Sequence, residues 1–373
     1  MRKFVTVIGA IFLVLLLTGG FLVWQRYSQN VVQIFPYPYS FSSVREDQKP
    51  EAPIVLVGDR MGSNFARFIP ELSKSISVNL DKPIKIQNLT AEGQSLPRTL
   101  NLLDHLVPWP QIVIYHGGSE EFREKKFEIS EIPKIRQNLD RYHHEVIETF
   151  LILYPWLSRL VYEPVKRVQL PETPAEPTDI GEKEYLARLE TELLLYEQQL
   201  VQMVEMSKNR NSLLILTTTP INLDIPPKDV CGFSTNLEID KKILELREYL
   251  KKNDLKSAYQ ESSEARRRYL GNARLLYIHG QISRRLGKLD EGRKVLLEAS
   301  AYDCVPWRAT AVHNSIIRKV ARDHQILLFD FALLVEKDWV QNLTYFDELH
   351  PQNLYYERAM SQLGQVIRKI LKL

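Results

Sequence analysis

The chain has 373 residues, of which 44% are hydrophobic and 25% charged, with a formal net charge of +3. This is the composition of a globular protein long enough for two modest domains, or for one large domain with an insertion. So small a charge on so long a chain gives no argument for a nucleic-acid partner, and no dense Lys/Arg run with interleaved aromatics supplies one.

After Arg2 and Lys3, residues Phe4 to Trp24 contain no charge. As a helix they reach roughly 30 Å, enough to cross a hydrocarbon core. Trp24 and Tyr27 suit an interfacial aromatic belt, and no Ala-x-Ala cleavage site follows. Residues 1–27 are therefore expected to be an uncleaved single-pass anchor in the inner (cytoplasmic) membrane. The two leading cations against the single Arg26 put the N-terminus in the cytoplasm and export the rest. Residues 28–52, rich in Pro, Ser and charge, read as a tether.

Five short apolar runs follow: "PIVLVG" (53–58), "IKIQNL" (84–89), "QIVIYHG" (111–117), "LLILTTT" (213–219) and "ILLFDF" (326–331). Each is nearly continuous, the pattern of parallel strands buried on both faces. Amphipathic stretches such as Asn64–Leu80 and Thr99–Leu106 lie between them. Strand-helix alternation of this kind predicts an α/β fold with a parallel sheet between helices. Two regions interrupt it. From about Ile135 to Lys208 come an aromatic-rich helical piece, a Pro/Glu loop and a long helix from Gly181 to Lys208. The second, 237–301, reads as helices alone. Shifted by 34 residues, "NDLKSAYQESSEA" (253–265) falls on "GKLDEGRKVLLEA" (287–299), with Ala265 on Ala299 and Ala258 on Gly292. A 34-residue period with small residues at helix contacts resembles tetratricopeptide (TPR) repeats, although a generic helical hairpin has the same outline. Cys231 and Cys304 leave a disulfide open and do not make a zinc site, and no cofactor is expected.

Ligands of open α/β sheets bind at the C-terminal ends of the strands. Here those ends carry "GDR" (58–60), "NLTAEG" (88–93), "HGGSEEF" (116–122) and, near the C-terminus, "FDELHPQN" (346–353). Asp347 three residues before His350 places a carboxylate where it holds the imidazole in one tautomer, ready to act as a general base. With these blocks in this order the chain resembles the SGNH, or GDSL-type, hydrolases, and more narrowly the bacterial members with TPR-like helices within the hydrolase domain. "TTTPINLDIPP" (217–227) and "AYDCVPWRATAVHNSIIRKVA" (301–321) add to the resemblance, which spans roughly 53 to 370. It implies a flavodoxin-like sheet and a Ser-His-Asp triad acting on esters.

Carried over residue by residue, Gly58 and Asp59 match the first block, but Arg60 stands at the nucleophile position. Gly93 fits the glycine that helps to bind an oxyanion. In the third block, opened by Gly118, the expected Asn is replaced by Glu120, or by Ser119 if the match shifts by one. Asp347 and His350 match the last block. A guanidinium is no oxygen nucleophile. A carboxylate repels the charge that develops in an oxyanion hole, where losing one donor costs about 3–4 kcal/mol. Arg60 and Glu120 have opposite charge, so an ion pair across the former site is expected. Ser63, one turn beyond Arg60, is the candidate substitute nucleophile, and equally a helix-start polar residue. His350 equally reads as a loop histidine held by Asp347, Glu120-Glu121 as a solvated acidic turn, and His143-His144 as helix surface.

Three readings follow. The first is a membrane-anchored exported protein whose hydrolase-type domain has lost serine chemistry and binds an envelope glycan or protein. The second is an esterase or acyl transferase on O-acylated envelope glycans or lipids, with His350, Asp347 and Ser63. The third is a scaffold acting through its helical insertion on a protein partner. The expected layout is anchor 1–27, linker 28–52, α/β domain 53–236 and 302–373, and helical insertion 237–301.

Overall fold

The computed structural model describes residues 18–20, 35–42, 46–142, 146–147, 151, 154, 157–171, 182–228, 237–303, 308–339 and 344–372. In chain order the elements are β1 (Tyr39–Phe41), β2 (Ile54–Gly58), α1 (Arg60–Ala66), α2 (Ile69–Ile76), β3 (Ile86–Asn88), α3 (Leu96–Asp104) and β4 (Ile112–His116). Then come α4 (Ile132–Tyr142), α5 (Ser158–Val161), β5 (Val168–Leu170), α6 (Glu182–Asn209) and β6 (Leu213–Thr217). Helices α7 (Leu237–Lys251), α8 (Leu255–Arg268), α9 (Ala273–Arg285), α10 (Leu289–Ala301) and α11 (Ala311–Asp323) follow, then β7 (Leu327–Phe329), α12 (Phe331–Glu336) and α13 (Asn353–Leu371). The chain divides into two compact units, 42–125 with 171–373 and 1–41 with 126–170.

The larger unit is built on a five-stranded sheet, order β3-β2-β4-β6-β7, with every neighbouring pair parallel. Numbered within the sheet this is 2-1-3-4-5, the flavodoxin-like doubly wound order, whose switch point lies between β2 and β4. Successive side chains point to opposite faces. Val55, Val57, Val113, Tyr115, Leu214 and Leu216 pack under α3, α6 and α11. Ile54, Leu56, Ile112, Ile114 and Ile215 pack under α1, α2 and α13. Burial on both faces is why the central strands β2, β4 and β6 read as largely apolar runs. The stretch 64–80, expected as one helix, is instead two, because Pro70 at the start of α2 has no N–H to continue α1.

Residues 237–301 form four helices in the order α7 to α10. Ile239, Ile243, Leu246, Ala258, Leu275, Ile278 and Ile282 make a core of their own. Helices α9 and α10 come together at Gly280 and Gly292, where a Cβ on Gly280 would lie 2.6 Å from Leu296 Cγ.

The smaller unit pairs β1 with β5 in parallel, Tyr39 opposite Val168. Part of the expected tether 28–52 is therefore a folded strand, with Phe35 and Tyr39 buried. Phe35 packs edge-on against Tyr142 and Tyr162, and this aromatic burial is what holds it. Residues 126–170, expected within the α/β domain, belong to this unit as well. The expected anchor 1–27 lies outside the described residues except for 18–20, as do Cys231, Cys304 and His143-His144. Among the described residues no helix is long and apolar enough to cross a membrane.

Candidate functional site

Strand β2 ends at Gly58, whose φ of +143° is open to glycine and whose missing side chain lets the backbone of His116 approach. A Cβ there would sit 1.8 Å from the His116 carbonyl oxygen. The ends of β2 and β4 are thus brought side by side at the switch point. Asp59 then caps α1, its Oδ1 accepting from Met61 N at 2.9 Å. Its Oδ2 accepts from Ser119 N at 2.6 Å and Ser119 Oγ at 2.8 Å. Burial raises the Asp59 pKa above the ordinary carboxylate value, and the bonds from Ser119, Met61 and Gly62 oppose the rise. The donors of Ser119 are thereby turned inward on Asp59.

Arg60, the first residue of α1, forms the expected ion pair, with Nε 3.6 Å from Glu120 Oε1. Glu120 is 5% exposed, and its Oε2 accepts from Arg123 Nη1 at 3.0 Å. Arg123 reaches Glu92 Oε1 at 3.7 Å, in the turn that contains Gly93. Four charges of alternating sign, Arg60, Glu120, Arg123 and Glu92, therefore tie the first three strand-end blocks together. Burial raises the Glu120 pKa, and the bond from Arg123 works against that shift. Gly93 itself has φ +74°, and Ala91 N of the same turn donates to Gly58 O at 3.2 Å.

The acidic run of the third block is not a solvated turn. Glu121 is buried, its Oε1 accepting from Leu96 N at 2.8 Å at the start of α3. Glu124 is buried too, bonded to Ser95 Oγ at 3.0 Å and to the Arg98 guanidinium. These carboxylates meet the free N–H groups and the cation of α3, which is why they tolerate burial. His116 is fully buried beside Phe65 and Phe331, with Nδ1 2.5 Å from Thr217 Oγ1. That hydroxyl donates to Tyr115 O at 2.9 Å, so Nδ1 carries the imidazole hydrogen. Burial lowers the His116 pKa to about 3 and keeps the ring neutral.

In the last block His350 Nδ1 lies 2.7 Å from Asp347 Oδ2, while Asp347 Oδ1 accepts from Leu349 N at 2.8 Å and His350 N at 2.7 Å. Partial burial pushes the Asp347 carboxyl up, but the bonds from His350 and Leu349 outweigh it and hold the pKa below the ordinary value. With Nδ1–H donated to Asp347, the lone pair of His350 lies on Nε2, a buried atom with no hydrogen-bond partner among the described residues. This is the tautomer a general base uses. Ser63 has other neighbours: its Oγ donates to Asp59 O at 3.4 Å and lies 3.1 Å from Thr90 Oγ1.

The first, third and last blocks converge. Met61, Ser119 and Leu349, each next in sequence to Arg60, Glu120 and His350, line one cavity with Thr219, Asn222 and Arg308. The cavity is about 10 Å³, room for a single water molecule. Segment 217–227 supplies one wall and braces the last block, Asn222 Nδ2 donating to Asp347 O at 3.1 Å. Arg308 Nη1 in turn donates to Asn222 O at 3.0 Å. Sequence reasoning missed Arg123, Glu92 and the Ser119–Asp59 bonds. Arg123 within "EEFREKK" (120–126) and Glu92 within "NLTAEG" (88–93) were the available signals for the first two. Among the described residues no group of His, Cys, Asp and Glu is placed to hold a metal ion.

No family model and no curated protein matches the sequence. Solved structures are similar at low identity. A GDSL-like lipase from Bacteroides thetaiotaomicron is 11% identical, with a TM-score of 0.36 over 93% of this chain and 98% of that one. A lipase/acylhydrolase from Enterococcus faecalis is 11% identical, with a TM-score of 0.36 over 86% and 96%. An acetylxylan esterase from Geobacillus stearothermophilus is 10% identical, with a TM-score of 0.34 over 87% and 95%.

Proposed function

We propose that this protein is a binding protein on a hydrolase-type fold, without serine-esterase chemistry. Its ligand would be a glycan or protein of the cell envelope. The observation that carries the reading is the ion network of Arg60, Glu120, Arg123 and Glu92. It occupies the positions where the resemblance expects a nucleophile and an oxyanion donor. A guanidinium cannot attack a carbonyl carbon, and a buried carboxylate opposes the negative charge of a tetrahedral intermediate.

The charge-free run 4–24 supports a single-pass anchor with the remainder exported. A TPR-like surface at 237–301 is supported by Asn253 and Gly287, which are 34 residues apart. Both take left-handed φ, +58° and +78°, within the α7–α8 and α9–α10 connections. Such a surface faces a protein partner.

The enzyme reading keeps one observation in its favour, the free Nε2 of His350 in the tautomer of a base. The purified full chain assayed with short-chain acyl esters separates the two. No turnover above buffer is expected. Turnover lost in both Ser63→Ala and His350→Ala would establish the esterase and overturn the binding reading.

A further inference from the structure

Residues 219–224 bridge the helical insertion and the Asp347–His350 pair. At the start of this segment Thr219 N donates to Asn314 Oδ1 at 2.9 Å, and Asn314 Nδ2 donates to Thr219 O at 2.8 Å, which ties it to α11. At its end Asp224 is held by two side chains of α9. Tyr277 Oη donates to Asp224 O at 2.6 Å, and the Arg284 guanidinium pairs with the Asp224 carboxylate. Arg284 Cζ lies 4.6 Å from the centre of the Trp339 ring, a cation–π contact that keeps the guanidinium in place. Alongside these polar contacts Ile221, Leu223, Leu296 and Trp339 form a buried apolar seam, with Tyr277 packed against it.

Between its ends the segment presents the buried Asn222. One orientation of its amide serves both neighbours. Oδ1 accepts from Asp224 N at 3.0 Å, which leaves Nδ2 to donate to Asp347 O at 3.1 Å. Turned the other way, the amide would set donor against donor at Asp224 and oxygen against oxygen at Asp347, a costly mismatch for a buried group. Asp347 in turn orients His350, its Oδ2 2.7 Å from Nδ1 and its Oδ1 accepting from Leu349 N and His350 N. The place of Asp224 therefore decides whether the Asn222 amide reaches Asp347, and α9 decides the place of Asp224. The Asp224 side chain is 47% exposed, and an exposed ion pair holds little by itself. The Tyr277 bond and the apolar seam bear most of the holding.

We propose that Asp224 is a positioning residue for His350, through which Tyr277 and Arg284 of the helical insertion hold the Asp347–His350 pair in the tautomer of a base. The geometry is the same whether that pair binds a ligand or reacts, so failure of the binding reading leaves the proposal standing. The insertion thereby becomes part of the site. A scaffold that acted alone would leave His350 indifferent to changes on α9.

Spatial continuity is not coupling, so the test measures what is shared along the path. Amide hydrogen exchange and the ring nitrogen shifts of His350 are read by NMR in the full chain. The variants are Tyr277→Phe with Arg284→Ala, Asn222→Ala, and all three substitutions together. Tyr277→Phe deletes only a hydroxyl and leaves the ring in the seam, so the fold is retained. The wild type should show a protonated Nδ1 and an unprotonated Nε2 where the ring is neutral. The double variant should quicken exchange at Leu349 N and His350 N about tenfold while β2 and β4 stay protected. It should also shift both ring nitrogens toward the tautomer mixture of a free histidine. Asn222→Ala should do the same, and the triple variant no more, because one path is then cut twice. Arg266→Ala, on α8 and paired with Glu298 of α10, should leave His350 unchanged. Wild-type exchange and ring shifts in the double variant overturn the proposal. So does acceleration that spreads equally to β2 and β4, an equal response in Arg266→Ala, or effects of the double variant and Asn222→Ala that simply add.

Discussion

Removing Arg60 and Glu120 singly and together tests whether the former catalytic position has become a structural joint. At 3.6 Å two unit charges attract by about 4–5 kcal/mol at an effective dielectric of 20, before desolvation is counted. The Arg60 side chain is 34% exposed and that of Glu120 5%, so screening of one partner and desolvation of the other remove most of this. A net coupling of about 1 kcal/mol remains. Arg60→Ala should cost about 1 kcal/mol and no more, because Glu120 keeps its bond to Arg123 and is not left as an unpaired buried charge. Glu120→Gln relieves burial of a charge but loses two cationic partners, so it should cost a similar amount. Urea unfolding at pH 7 of the wild type, both singles and the double closes the cycle. Coupling should fall between 0.1 and 0.5 M salt, since half of the pair is solvent-facing. A coupling of zero within about 0.3 kcal/mol, or one indifferent to salt, would refute the reasoning.

His116 makes the fold acid-sensitive: its neutral form is built in, and its pKa of about 3 lies below the ordinary 6.5. The unfolded chain takes the proton first as pH falls, so stability drops below pH 6.5, by about 2 kcal/mol between pH 7 and 5. His116→Leu should flatten that slope in urea titrations at the two pH values. Asp59 and Glu120, both raised by burial, act with the opposite sign, their contribution to stability growing as pH falls. Gly280→Ala places a Cβ 2.6 Å from Leu296 Cγ and should cost about 1–3 kcal/mol through forced separation of α9 and α10. A loss under about 0.5 kcal/mol in thermal unfolding would mean the helices have slack there. Arg60→Ser with Glu120→Asn should bring no ester turnover, because Ser119 N and Oγ stay bonded to Asp59 and are not turned toward an oxyanion. Turnover in that double variant would show that the two substitutions alone silenced the site.

Much of the α/β architecture is legible because it is written locally. The central strands β2 and β4 are buried throughout and read as mostly apolar runs, while edge strand β3 (Ile86–Asn88) is only partly covered, and each of the five strand runs contains an observed strand. The Asp347–His350 contact spans three residues, so spacing alone predicts it. The 34-residue shift within 237–301 is likewise a comparison of the chain with itself. The division of 64–80 into two helices was also available, in Pro70.

What sequence could not carry are pairings whose partners come from distant segments. Tyr39–Phe41 look like tether until Val168–Leu170 come alongside and complete their hydrogen bonds. Glu121 and Glu124 look like solvent-facing charge until the start of α3 and Arg98, 26 residues from Glu124, are folded against them. Ser119 reads as an oxyanion donor until Asp59 takes both of its hydrogens. By itself the sequence determined the parallel sheet, the glycine at its switch point and the missing hydroxyl at residue 60. Tertiary structure alone decided that Arg60 would meet Glu120 and that Asp59 would take up the donors of Ser119. The reason is physical. Periodicity and turn chemistry act between neighbours in the chain, whereas burial of a charge depends on what the whole fold places beside it.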